Sequence, residues 1–128
     1  MNADTINLLA RATLDGSMPF PVIIRELIAE GVEYYYVDYA ACTFTFYSDD
    51  HSTVTVPLLF EGLPSVSQNF DVAALKSAIF DSQQHDQKFR IFCERAMHAG
   101  VGGYFAFLRG QRVVYFGRQG DQHTEWFP

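Results

Sequence analysis

The chain has 128 residues, of which 48% are hydrophobic and 19% are charged, so its composition is that of one globular domain and excludes a disordered segment. The net charge of −6, with only nine scattered lysines and arginines, argues against nucleic acid as a partner, because nucleic-acid binding needs a positive face. Aromatic residues make up 16% of the chain and favour a core rich in β-sheet.

The beginning of the chain predicts a helix that starts at Asp4 and continues through TINLLARATL. One stripe of this helix is formed by Ile6, Leu9, Ala10 and Thr13. The segment lacks the basic start and continuous apolar run of a signal peptide, and no part of the chain approaches the ~20 apolar residues of a membrane helix. We therefore expect a cytoplasmic protein that does not contact membranes and keeps its two cysteines reduced.

A second predicted helix begins at Phe20, and a similar segment begins 69 residues later at Phe89 without any gap. The matching residues are Phe20, Ile24, Leu27, Ile28, Gly31 and Val32 in the first segment and Phe89, Cys93, Ala96, Met97, Gly100 and Val101 in the second. This spacing is typical of one helix face, and each glycine stands where a left-handed residue ends a helix.

A hairpin follows this helix in each copy. The matching strand residues are Tyr35, Val37, Tyr39, Phe44 and Phe46 in the first copy and Tyr104, Ala106, Leu108, Val113 and Tyr115 in the second. Short turns at 40–42 and 109–111 separate the two strands in each copy. The second copy also has its own first helix, with Asp71 as the expected N-cap and Val72, Leu75, Ile79 and Ser82 as its stripe.

A third, short strand is predicted at the end of each copy. We place a two-residue insertion in the turn before it in the second copy, which shifts the offset from 69 to 71. The resulting pairs are Ser52 with His123, Thr53 with Thr124, Val54 with Glu125, Val56 with Phe127 and Pro57 with Pro128.

The chain is therefore predicted to be a duplication of one helix–helix–strand–strand–strand unit. Repeat 1 covers about 4–57, a linker about 58–69, and repeat 2 about 70–128. The linker is too short for independent halves, so we expect one domain over 1–128. Its fold class is α+β, with a mostly antiparallel sheet and the helices packed on one face.

Several segments of repeat 2 carry a family resemblance. They are Ala99–Val101, Gly103–Phe105, Val113–Gly117 and His123–Pro128. With these segments the chain resembles the YdfO/YbcV-like family of uncharacterised bacterial and prophage proteins, sometimes labelled phage envelope proteins. The resemblance covers essentially the whole chain and implies an α+β fold in a cytoplasmic setting, without an established activity.

The two cysteines are expected to be structural. Cys93 matches Ile24 and is interpreted as a small buried hydrophobic residue, while Cys42 is expected to be an exposed, unactivated thiol at a hairpin turn. No nucleophile motif, phosphate-binding loop or paired metal-ligand spacing is present, so no catalytic residue, metal or cofactor is expected.

A composite metal site is one alternative, because each copy carries acidic residues and a histidine at the turn before its last strand. The residues concerned are Asp49, Asp50, His51, Asp121 and His123. Such a site requires the two hairpins to meet in space, and two separate solvated turns are the favoured interpretation.

The copies differ most on the inward face of the sheet. His123 and Glu125 replace smaller or apolar residues there, and Tyr115 replaces Phe46. A buried carboxylate is costly unless it is paired or hydrogen-bonded. Two interpretations stay open: a short C-terminal strand that frays into solvent, or a polar pocket that binds a small molecule.

The outward face suggests a partner. Val114 and Phe116 make it apolar in repeat 2, whereas Thr43, Thr45 and Tyr47 make it more polar in repeat 1. A sheet that is apolar on both faces needs a cover on each. We therefore expect a non-enzymatic binding or protein-interaction module, with a homodimer as the most economical arrangement. The alternative is a small-molecule-binding protein or weak hydrolase that uses His123 and Glu125.

Overall fold

The computed structural model describes all 128 residues and confirms the α+β fold class, with four helices and one six-stranded sheet whose neighbours are all antiparallel. The helices are α1 Ala3–Asp15, α2 Phe20–Ala29, α3 Val72–Gln84 and α4 Phe89–His98. The strands are β1 Val32–Asp38, β2 Thr43–Ser48, β3 Thr53–Pro57, β4 Val101–Phe107, β5 Arg112–Gly117 and β6 Gln122–Trp126. Their order in the sheet is β3-β2-β1-β4-β5-β6, so β1 and β4 join the repeats at its centre.

The duplication is confirmed, and it is more regular than the sequence indicated. Each of the five elements of repeat 2 begins and ends 69 positions after its counterpart in repeat 1, from α1 and α3 to β3 and β6. None of the four helices combines the length and the apolar character needed to cross a membrane.

The predicted two-residue insertion before the last strand is wrong. Phe46 lies opposite Val54 in the first hairpin, and Tyr115 lies opposite His123 in the second, which is the same register at an offset of 69. The two turns have equal length. The same position in each is left-handed, with His51 at φ 68° and Gly120 at φ 88°. An error of two residues leaves each side chain on its predicted face, because side chains alternate along a strand.

The counterparts of the last strand change accordingly. His123 corresponds to Val54 and Glu125 to Val56, instead of Ser52 and Val54. Repeat 2 thus replaces two valines of one strand face with two polar residues.

The first helix of each repeat begins at the same kind of cap. The Asn2 side chain accepts hydrogen bonds from the backbone N–H groups of Asp4 and Thr5, and the Asp71 side chain accepts one from Ala74. Their buried stripes are Ile6, Leu9, Ala10 and Ala12 in α1 and Leu75, Ala78 and Ile79 in α3. The prediction that Val72 and Ser82 belong to the α3 stripe is wrong, because the counterpart of Ile6 is Leu75 and both of those side chains are exposed.

One cluster of 27 buried residues, drawn from both repeats, lies between the sheet and the helices. The second helix of each repeat reaches across to the other repeat. Phe89 of α4 stacks on Phe44 of β2 with ring centroids 6.0 Å apart, and Phe20 of α2 meets Phe127 edge-on at 5.7 Å. The two repeats therefore contribute to one core.

The linker begins on repeat 1, where the N–H of Leu58 donates to the carbonyl of Cys42 at 2.8 Å, and its end packs on repeat 2. The N–H of Ser67 donates to the carbonyl of Met97 at 3.0 Å, and that of Asp71 donates to Ala99 at 2.7 Å. Met97 is therefore buried, whereas its counterpart Ile28 is 49% exposed. The prediction that Ile28 belongs to the buried helix face is wrong, because no segment covers that side of α2 as the linker covers α4.

Candidate functional site

The three residues proposed for a polar pocket lie together on the face of the sheet that carries the helices. Tyr115 of β5 is directly opposite His123 of the edge strand β6, with stacked rings 6.4 Å apart. Glu125 follows His123 on the same face, and its Oε1 is 3.8 Å from His123 Nε2. An imidazole, a carboxylate and a phenol thus converge at this edge.

Strand β6 is not frayed. All five of its residues pair with β5, and the N–H of Phe127 donates to the carbonyl of Gln111 at 2.9 Å. What differs is the helix cover, since α1 packs against β3 and α3 makes no comparably extensive contact with β6. The side chains of His123 and Glu125 therefore remain 14% and 30% exposed, which makes two polar residues tolerable on an inward face.

The polar side chains continue inward from this edge. The Tyr104 ring is 5.2 Å from that of Tyr115, and the Tyr39 ring is 6.1 Å from that of Tyr104. We call these four residues, Tyr39, Tyr104, Tyr115 and His123, the polar row. The row crosses the sheet from Tyr39 at its centre, near the thiol of Cys93, to His123 at its edge.

The three phenols of the polar row are neutral. Burial raises the pKa of Tyr39, Tyr104 and Tyr115 above the usual phenol value. His123 Nε2 is buried and meets no hydrogen-bond partner within the chain, while the buried Tyr39 hydroxyl lies beside the Cys93 thiol. The row consequently offers hydrogen-bonding groups but no ionised nucleophile.

Cys93 is fully buried, and burial raises the pKa of its thiol to about 12, which confirms its interpretation as a core residue. The two cysteines are not bonded to each other. The expectation that Cys42 is exposed is wrong. Its backbone is left-handed at φ 55°, and its side chain folds back, half-buried, to donate to the carbonyl of Tyr39 at 3.5 Å.

The composite metal site does not form. The β2–β3 and β5–β6 turns lie at opposite edges and opposite ends of the sheet, because the repeats are related by rotation about its centre. No group of three or more metal-ligating side chains is present in the chain. Asp49 instead pairs with Arg109 at 3.2 Å, and Asp50 accepts a hydrogen bond from the N–H of Ser52 at 3.0 Å.

The opposite face of the sheet carries no helix, and the proposed interface residues Val114 and Phe116 lie there, half-buried. They belong to a continuous aromatic surface at the centre of the sheet. Its members, called here the outer aromatic cluster, are Tyr34, Tyr36, Tyr47, Phe105, Phe107 and Phe116. Tyr34 stacks on Tyr47 at 4.6 Å, and Phe105 meets Phe116 edge-on at 5.9 Å.

Sequence reasoning missed most of this cluster. The signal was available in the runs Tyr34–Tyr36 and Tyr104–Phe107, which are aromatic or apolar at successive positions. A strand with such a run places large side chains on both faces. Tyr35 and Tyr104 point inward, and their neighbours Tyr34, Tyr36 and Phe105 point outward.

A groove of about 490 Å³ opens at one end of the outer face, beside the β4–β5 turn. It is lined by Glu33, Tyr34, Phe107, Arg109, Gly110, Arg112 and Val114. Arg109 is paired with Glu33 at 3.1 Å and with Asp49, whereas Arg112 lies over the ring of Trp126 at 4.1 Å.

Comparison with known proteins gives the chain a family without giving it an activity. No curated protein matches it significantly. The family model described as a protein of unknown function (DUF1398) matches residues 12–124, which is nearly the whole duplicated unit. The chain therefore belongs to this family, DUF1398.

Proposed function

We propose that the protein is a non-enzymatic interaction module that binds a second copy of its own chain through the outer face of its sheet. The outer aromatic cluster supports this proposal most directly, because its rings pack on one another and no other element of the chain covers them. Contiguous exposed apolar surface of this kind marks interaction sites.

The size of the face suits a dimer. Six strands about 4.8 Å apart, each about six residues long at about 3.3 Å per residue, have a plan area of roughly 600 Å² before side-chain relief is added. A stable interface buries about 800 Å² on each partner. A second copy that covers the face and its rim reaches that class.

Charge favours a second copy as the occupant. The chain carries a net charge of −6, yet Phe105 and Phe116 form a central region without charged side chains. Two acidic molecules can approach through such a region, and the cores of protein interfaces are likewise rich in aromatic and poor in charged residues.

The two halves of the face also complement each other. Away from the central strands, repeat 2 presents Val114 and Phe116, while repeat 1 presents small threonines, among them Thr45 and Thr55 with hydroxyls 3.3 Å apart. A two-fold axis along the strands places the raised half of one copy over the flatter half of the other, as a symmetric interface requires. The bacterial cytoplasm, which the YdfO/YbcV-like resemblance implies, is the proposed setting.

A second candidate function is small-molecule binding at the polar row, with His123, Glu125 and Tyr115 at its outer end. The buried Nε2 of His123, which lacks a partner within the chain, favours this candidate. Hydrolysis is disfavoured because the row contains no activated nucleophile or metal-ligand cluster.

Native mass spectrometry of freshly purified protein tests both candidates at once. We expect a dimer without added mass. A monomer that carries a co-purified small molecule would contradict the dimer proposal and support the polar-row candidate. Loss of that adduct in the Glu125→Gln variant would then place the molecule at His123.

A further inference from the structure

We infer that the groove beside the β4–β5 turn binds a carboxylate carried on a flat or extended apolar body. The site goes beyond the proposed dimer, because its recognition element, Arg112, is not part of the outer aromatic cluster. Its floor of Tyr34, Phe107 and Val114 belongs to the face that a second copy would cover, so the ligand and the second copy compete for it. Its chemistry is a guanidinium above an apolar floor.

Arg112 is held in place for this role. Its guanidinium carbon lies 4.1 Å from the centre of the Trp126 ring, and its Nε donates to the carbonyl of Gly110 at 3.3 Å. These contacts fix the plane of the guanidinium on two sides. Its terminal nitrogens form no ion pair within the chain, so they are free to donate two parallel hydrogen bonds to a carboxylate.

The second arginine of the groove contributes less attraction. Arg109 already pairs with Glu33 at 3.1 Å and with Asp49 at 3.2 Å, so its charge is balanced by two carboxylates. A ligand carboxylate therefore finds one unbalanced guanidinium, that of Arg112. This arrangement suits a ligand with a single anionic group.

The floor of the groove is apolar. Tyr34 and Phe107 lie side by side with ring centroids 5.6 Å apart, and Val114 continues the surface along β5. The groove is shallow and open to solvent, with a volume of about 490 Å³. An aromatic ring or a short acyl chain fits against this floor while its carboxylate reaches Arg112.

The duplication supplies an internal comparison. At the offset of 69, the counterparts of Arg112, Phe107 and Tyr34 are Thr43, Asp38 and Gly103. The other end of the face thus lacks both the cation and the aromatic floor, and the side chain of Tyr36 lies against Gly103 there. Only one end of an otherwise regular duplicated sheet has acquired these groups.

Two sources can supply such a carboxylate, a free aromatic or short-chain acid and the C-terminus of a peptide that ends in an apolar residue. The probes are 4-phenylbutyrate and a short peptide ending in phenylalanine, each compared with its uncharged form, 4-phenylbutanol or the peptide amide. Binding is followed by backbone and side-chain NMR shifts during titration. The groove is titrated in the Phe116→Asp variant, which a second copy does not cover, and wild-type protein is titrated in parallel, so that a failed dimer proposal and a failed groove proposal give different results.

We expect at least one acid to bind saturably and to shift the signals of Tyr34, Phe107 and Val114. The affinity for its uncharged form should be lower by about tenfold or more. The Arg112→Gln substitution should lower the affinity for the acid by a similar factor. The Arg112→Lys substitution keeps the charge but loses the two parallel N–H donors, so its affinity for the acid should lie between those of wild type and Arg112→Gln. Arg118→Gln, an arginine at the next turn, is the matched control and should leave binding unchanged. Equal binding of acid and uncharged form, an unaffected Arg112→Gln variant, or no saturable binding of either acid would overturn the inference.

Discussion

Tyr36 lies directly opposite Phe105 in the central strand pair, and the two rings are 4.4 Å apart on the outer face. Each residue is the other's counterpart in the duplication, since they are separated by 69 positions. The pseudo-two-fold axis of the molecule therefore passes between them. The repeats are joined through an aromatic contact that lies at the centre of the face proposed to bind the second copy.

The linker makes two equivalent glycines unequal, and this can be measured. Gly31 and Gly100 both end a helix with positive φ, at 85° and 90°. A methyl group at Gly100 would collide with the backbone of Asn69 and Phe70, whereas at Gly31 the nearest atom, an Asp49 carboxylate oxygen, is 3.6 Å away. We expect Gly31→Ala to lower the free energy of unfolding by about 1 kcal/mol and Gly100→Ala by about 3 kcal/mol or more. Urea denaturation measures both, and equal losses would contradict the packing of the linker.

Much of the fold could be predicted because the duplication is visible in helix periodicity and in Gly31 and Gly100, the two glycines that end a helix. The register of the last strand could not. Thr53 and Thr124 resemble each other in sequence, but backbone geometry equates the positions of His51 and Gly120, one a histidine and the other a glycine. A left-handed turn position is shared without sharing a residue type, so local similarity suggested an insertion that does not exist.

Buried phenols and the Cys93 thiol predict a loss of stability at alkaline pH. Their folded pKa values are raised by burial above 10.0 for the tyrosines and above 9.0 for the thiol. Above those unfolded values the unfolded chain holds fewer protons than the folded one, so stability is full at lower pH and falls as pH rises. Each group contributes a slope of up to about 1.4 kcal/mol per pH unit.

Urea denaturation between about pH 8 and about pH 11 measures this slope. Tyr39→Phe is the matched comparison, because it removes one of these buried hydroxyls and keeps the ring. We expect a shallower slope in that variant. A stability that stays constant or rises through this pH range would contradict the burial of these phenols.

The thiols should differ in reactivity. Cys42 is half-buried at a turn, while Cys93 is fully buried with its pKa raised to about 12, so a thiol reagent near neutral pH should modify Cys42 first. In the Cys42→Ser variant, modification should require unfolding. Rapid reaction of that variant in its native state would show that Cys93 is accessible.

We predict that the histidine at position 123 serves function and does not stabilise the fold. The buried Nε2 lacks a partner, which costs about 1–3 kcal/mol, and Val54 occupies the equivalent place in repeat 1. We expect His123→Val to raise the free energy of unfolding by about 1 kcal/mol, and the reciprocal Val54→His to lower it. Destabilisation by His123→Val would mean that the imidazole is needed by the fold.

The candidate sites were predicted unevenly. The grouping of His123, Glu125 and Tyr115 followed from strand alternation, which survives a register error of two residues. The groove could not be predicted from strand alternation, because it joins Tyr34 of repeat 1 to Arg112 of repeat 2. Their proximity depends on which strands pair at the centre of the sheet. Alternation describes one strand at a time, whereas sheet order is set by the packing of the whole chain.

Sedimentation velocity over a range of protein concentrations tests the central claim most directly. Wild-type protein should sediment as a dimer, Phe116→Asp as a folded monomer, and Phe80→Asp as a dimer, since Phe80 is 54% exposed on α3, on the helix side of the sheet. Circular dichroism confirms that each variant is folded, and Val114→Asp replaces Phe116→Asp if the latter unfolds. A wild-type protein that stays monomeric at every concentration, or a dimer that both folded outer-face variants leave intact, would contradict the account.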